Sequence, residues 1–305
     1  MELFIIAALV GVGIGVLSGL LGIGGGTVMV PIFRLAFAME PIAATATSLF
    51  TIIPTSISGM WKHHKNKTSL PKVGKICGLA GACLSPVGVF VASVSPGWAI
   101  ILAAAIVIGY SAITMFKKAL KAPKFSDVKK KADSENAGAN SPCDASGVAM
   151  EDTASSSVND AEANAKLDAS EALADEYKLE FTASFVAKII FIGAIAGFMS
   201  GYVGVGGGFI MVPLFISLLG ISMRLASGTS LTAVCILAIP GVIEQAIFGN
   251  IHYTIGIAMA CGSIPGAVLG ANLVKKVPER LLRFIFAGFL LVGAVLLILN
   301  ELNLF

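Results

Sequence analysis

The chain has 305 residues, 56% hydrophobic and only 13% charged, with a mean hydropathy of +0.89; a soluble domain averages roughly half and a quarter. One water-soluble core could not bury that much apolar surface, and a net charge of +3 is too small and too scattered for a nucleic-acid footprint. Composition therefore predicts an all-α polytopic membrane protein and excludes DNA binding and soluble enzymology.

A spanning helix needs about 20 mostly apolar residues. In chain order such stretches predict helices over 3–21, 42–61, 73–93 and 97–116, then over 182–203, 225–247, 253–274 and 280–300. The first has Glu2 rather than a basic flank and runs straight into a glycine cluster, unlike a cleavable signal peptide. Two shorter pieces, 27–38 and 209–220, each follow a glycine cluster. A dozen residues at about 1.5 Å rise cannot cross roughly 30 Å of hydrocarbon, so half-helices or re-entrant segments are expected there. Residues 121–180 hold 20 of the 39 charged side chains and almost no large apolar ones. The expected organisation is a first membrane repeat over 1–116, a disordered linker over 117–181 and a second membrane repeat over 182–305. Cys77, Cys83, Cys235 and Cys261 lie in apolar runs and Cys143 lies alone, with no metal-ligand or disulfide spacing. Nothing in the sequence calls for a cofactor, a metal or a catalytic residue.

The two hydrophobic blocks are copies of one another. Residues 18–33, SGLLGIGGGTVMVPIF, recur 182 positions later as SGYVGVGGGFIMVPLF, with ten of 16 positions identical. The same offset aligns Thr47-Ser48-Leu49 with Thr229-Ser230-Leu231, Gly59 with Gly241 and Pro96 with Pro278. Each copy supplies about five helical elements. Basic residues set their orientation. The loop around 62–75 holds five lysines and the loop around 92–97 none, whereas around 248–252 there is none and Lys275, Lys276, Arg280 and Arg283 follow. The bias swaps between copies, so inverted topology is expected, with the linker and the lysine-rich loops in the cytoplasm.

Inverted repeats with interrupted helices point to a secondary transporter whose substrate sits between the repeats. Gly24, Gly25 and Gly26, and their copies Gly206, Gly207 and Gly208, break the helix and free backbone N–H groups at the positive end of the following short helix. Two such ends brought together would cradle an anion without a cationic side chain. The competing reading is that these glycines only let helices pack closely. Thr47, Ser48, Thr229 and Ser230 are candidate hydroxyl donors to the anion, or bond back to their own helical turn. Arg34 is a candidate anion attractor or a snorkelling side chain. Glu244 interrupts an apolar helix and is a candidate proton-coupling acid, with protons as the coupling ion. His63 and His64 are adjacent in a basic loop and His252 is distant, which argues against a metal site.

At the two glycine motifs, and at the Ala-Thr-Ala-Thr-Ser and Ala-Ser-Gly-Thr-Ser segments that follow them, the sequence resembles the TauE/SafE family of sulfite exporter and permease-like membrane proteins. The resemblance covers about 3–116 and 182–300. It implies a multi-pass plasma-membrane transporter of small sulfur-containing anions, sulfite or an organosulfonate, moved outward. A passive anion channel or a membrane-embedded binding and assembly protein with the same fold is the alternative.

Overall fold

The computed structural model describes residues 2–121 and 182–301. Among the described residues ten helices follow in chain order: α1 (Glu2–Leu21), α2 (Gly26–Phe37), α3 (Pro41–Lys65), α4 (Pro71–Val94), α5 (Gly97–Lys121), α6 (Ala183–Val203), α7 (Gly208–Leu218), α8 (Met223–Ile247), α9 (Tyr253–Leu273) and α10 (Glu279–Glu301). Seven are long and apolar enough to cross a membrane. α2 and α7 are the two short ones expected from the sequence, and α10 opens on Glu279, Arg280 and Arg283. Leu9, Phe90, Ile106 and Ile247 are each more than 60% exposed. Side chains of this kind all round a helical bundle are solvated by lipid.

Helix ends follow local chemistry. Pro41 and Pro71 open α3 and α4, where a missing N–H costs nothing. Ser222 caps α8, its Oγ accepting from Leu225 N at 3.4 Å. The end of α5 differs from expectation. α5 continues past 116 to Lys121, where Lys118 Nζ donates to Ser217 Oγ at the end of α7. Residues 117–121 are thus helical, and the rest of the expected linker lies outside the described residues.

Contacts recur under exchange of the halves: a pair (i, j) has a counterpart (i + 182, j − 182). Along α1, Gly11, Gly15 and Gly19 lie so close to the backbone of Met259, Ser263 and Ala267 in α9 that a Cβ would overlap their carbonyls. Gly193, Gly197 and Gly201 of α6 do the same to Cys77, Gly81 and Ser85 of α4. Both pairs run parallel, each joining the first helix of one half to the fourth element of the other. Small residues every fourth position are what such close helix approach requires.

At the centre, α3 and α8 cross with Gly59 against Leu231 and Gly241 against Leu49. One number rises as the other falls, so the equivalent helices are antiparallel. That relation is consistent with the inverted repeat expected from the loop charges. α8 is buried almost continuously from Leu225 to Cys235. α5 and α10 pair at the side, with Phe116 and Phe284 edge to face at 5.7 Å.

The C-terminus of α3 meets that of α9, with Asn66 Nδ2 donating to Ala271 O at 3.1 Å. Arg224 at the start of α8 donates to Val277 O at 2.9 Å. This end of the bundle carries the described lysines and arginines apart from Arg34.

Candidate functional site

Each glycine break turns the chain sharply. Gly22 N donates to Ser18 O at 2.8 Å and Gly204 N to Ser200 O at 2.8 Å, closing α1 and α6. Gly25 (φ 87) and Gly207 (φ 66) then stand as left-handed caps of α2 and α7, with no side-chain cap. The first break folds back on α1, Gly25 facing Ile14 and Ser18. α2 returns from there toward the start of α3, its first residue, Gly26, lying beside Ile52 in the middle of α3.

The two breaks meet. A Cβ on Gly26 would overlap the Val205 carbonyl, and one on Gly208 would stand 2.7 Å from the Ile23 carbonyl. Ile52 of α3 packs against Gly26 and Gly206, while its counterpart Val234 of α8 packs against Gly24. Residues 203–210 and 21–27 are all buried. Among the described residues no hydrogen bond from Gly24, Gly25, Gly206 or Gly207 N–H is formed. Buried donors without partners, next to two helix N-termini, make a region of positive potential and unmet hydrogen-bonding capacity.

Hydroxyls surround it. Ser18 Oγ and Ser200 Oγ, equivalent by the repeat, are buried without a partner among the described residues. Each sits beside a cap glycine, the serine Cβ lying 3.6 Å from a Cβ built on Gly25 and 3.3 Å from one on Gly207. Thr27 Oγ1 and Ser56 Oγ are likewise buried and unpartnered, Ser56 lying beside Gly24. These four were not singled out from the sequence. The identity of Ser18 and Ser200 within the repeated motif was the signal that could have found that pair.

The hydroxyls expected from sequence divide. Ser48 Oγ is buried and unpartnered. Ser230 Oγ lies 2.6 Å from Gly22 O, at the edge of the first break, and 2.8 Å from Ser227 O. Thr47 Oγ1 accepts from His252 N at 3.0 Å, and Thr229 Oγ1 accepts from Leu70 N at 2.9 Å while donating to Leu225 O. These matched threonines tie α3 and α8 to the segments leading into α9 and α4 of the opposite half. Arg34 is in the last turn of α2, at the end opposite the lysines, and Glu244 is near the end of α8 on that same side. Neither lies at the glycine breaks. Glu244 Oε2 is buried without a partner among the described residues.

A cavity of about 240 Å³ opens at the end opposite the lysines. Thr45, Ser93, Tyr202, Gln245 and Asn250 line it together with Gly201, three residues before the second break. Thr45 also packs directly against Gly204.

Paired helix breaks, buried polar groups and a lipid-facing exterior define a multi-pass membrane protein with a duplicated helix break in its interior. The chain belongs to the sulfite exporter TauE/SafE family, which it matches over residues 7–297. It is 24% identical over 284 residues to the probable membrane transporter protein YunE of Bacillus subtilis, an alignment spanning 91% of this chain and 90% of that protein. Over 112 residues it is 30% identical to the probable membrane transporter protein YdhB and 31% to YjnA, both of Bacillus subtilis, spanning 46% and 44% of their lengths. The chain thus spans under half the length of these two relatives. No solved structure matches it.

Proposed function

We propose that the protein is a secondary transporter of small sulfur-containing anions, sulfite or an organosulfonate, moved outward by alternating access, and not an enzyme. The observation that carries this reading is the meeting of two buried, uncapped helix N-termini at the crossing of equivalent helices. Backbone N–H groups at such ends recognise a compact anion by charge and size. Ser18, Ser200, Thr27 and Ser56 add hydroxyl donors beside the Gly24–Gly26 and Gly206–Gly208 breaks, Ser48 adds one more, and Ser230, its proton given to Gly22 O, braces the first break. Ile52 and Val234 exclude water from the contact, which strengthens each remaining interaction. Arg34 draws anions to its end of the bundle, and Glu244 carries the coupling proton. The lysine-rich end faces the cytoplasm.

Counterflow tests this directly. Purified protein in liposomes preloaded with unlabelled sulfite should transiently accumulate labelled sulfite, with competition by an organosulfonate and by thiosulfate. Absence of counterflow by folded protein, together with an anion current linear in voltage, would replace the carrier by a channel.

A further inference from the structure

His63 and Gln245 stand 182 residues apart, and so do Thr68 and Asn250. The last turns of α3 and α8, with the turns after them, are therefore copies. Both build the same link: His63 Nδ1 lies 2.8 Å from Thr68 Oγ1, and Asn250 Nδ2 donates to Gln245 Oε1 at 2.8 Å.

The copies differ in what the second polar atom does. His63 is fully buried, and its Nε2 donates to the carbonyl of Gly19, near the end of α1, at 2.8 Å. With Nε2 the donor, Nδ1 of the neutral ring accepts from the Thr68 hydroxyl. The ring also presses on Gly228. At the opposite end the carbonyl equivalent to Gly19 is that of Gly201. Among the described residues the Gln245 side chain bonds Asn250 rather than that carbonyl, and the cavity of about 240 Å³ is lined by both Gln245 and Gly201. Gln Nε2 and His Nε2 are the same number of bonds from their backbones. Gln245 could therefore make the bond His63 makes, once α6 moves in.

We propose that this cavity is the outer mouth through which substrate passes between the break joining α6 to α7 and the outer face, and that His63 and Gln245 are the gate residues of the two ends. The structure holds the lysine-rich gate latched and the other unlatched. Exchanging the latches, His63–Gly19 for Gln245–Gly201, would turn the access from one face to the other by the pseudo-symmetry of the repeat. What passes through rests on the reading given under Proposed function; the gates do not.

Thr45 and Ser227 are equivalent reporters. Thr45 lines the cavity, whereas Ser227 is fully buried at the latched end. In the full chain with its native cysteines replaced by alanine, Thr45→Cys should react with a small maleimide at least about tenfold faster than Ser227→Cys, the mark of a population held mostly in one state. His63→Ala should raise the Ser227→Cys rate by about tenfold, and Gln245→His should lower the Thr45→Cys rate by a similar factor. Should His63→Ala fail to give monodisperse protein, His63→Gln makes the two ends alike and should shrink the difference between reporters. Equal labelling of the two reporters in the parent background, or rates unmoved by the gate substitutions, would overturn the proposal. None of these readouts involves sulfite, so a failed counterflow experiment leaves them intact.

Discussion

Gly25 and Gly207 hold the same place in the two halves but are not equally replaceable. Both have positive φ, where a side chain costs roughly 1–2 kcal/mol. A Cβ on Gly25 would meet the Ile14 Cγ2 methyl and the Met29 Cε methyl at 3.1 and 3.2 Å, side-chain atoms of which the methionine end can swing aside. On Gly207 it would meet the Ala196 carbonyl at 2.7 Å, which is backbone. Gly25→Ala should therefore lower stability by roughly 1–2 kcal/mol, with Gly207→Ala costing more, read as thermal unfolding in detergent. Equal unfolding temperatures would show that α6 can back away. Gly25→Ala should still insert and fold while losing most of its transport, because a methyl group would occupy the space beside the unpartnered Ser18. The repeated glycine motif made this pair legible in the sequence. Ser18 and Ser200 were hidden in plain view inside the same motif, since a serine one turn before a helix end is ordinarily satisfied by its own backbone. Thr47 and Thr229 were legible as matched hydroxyls, yet their partners, His252 N and Leu70 N, lie 205 and 159 positions away. No local pattern encodes such a partner.

The helices themselves were the most readable layer, because apolar length alone sets a spanning element. The short α2 and α7 could be read from the same rule by falling below it. Their direction could not, since the turn at Gly25 is fixed by the fold back onto Ile14 and Ser18 rather than by the residues of α2. Nor could the pairing of α1 with α9 and α6 with α4. Gly197 shows how strict that pairing is, because a Cβ there would overlap the Gly81 carbonyl with no side chain to move aside. Gly197→Leu should force α6 from α4 and cost about 1–3 kcal/mol or more, seen as a lower unfolding temperature. Gly109→Leu, with open space at its Cβ position, is the matched control and should change little. If the two variants melt alike, close approach of α4 and α6 is not what holds them.

On the scale of the molecule, the lysines and arginines collect where α3, α5 and α9 end and α4, α6, α8 and α10 begin. Only Arg34 departs from that pattern among the described residues. An inverted arrangement requires the turns after α3 and α8 to lie on opposite faces of the membrane. His64→Cys and Phe248→Cys, both exposed, report on them. An impermeant thiol reagent should label Phe248→Cys in intact cells and His64→Cys only after permeabilisation. Labelling of both from the same side would contradict the inversion.

The cross-pairing of first and fourth elements bears on how the chain is made. α1 is synthesised first, yet the helix that covers its glycine face, α9, begins only at Tyr253. At about 5–20 residues per second, that face waits roughly 10–50 s in the bilayer before its partner emerges. α4 waits a shorter time for α6. The first half cannot mature as a finished unit on leaving the ribosome: the central pair, α4 and α6, can close first, and α1 meets α9 only later.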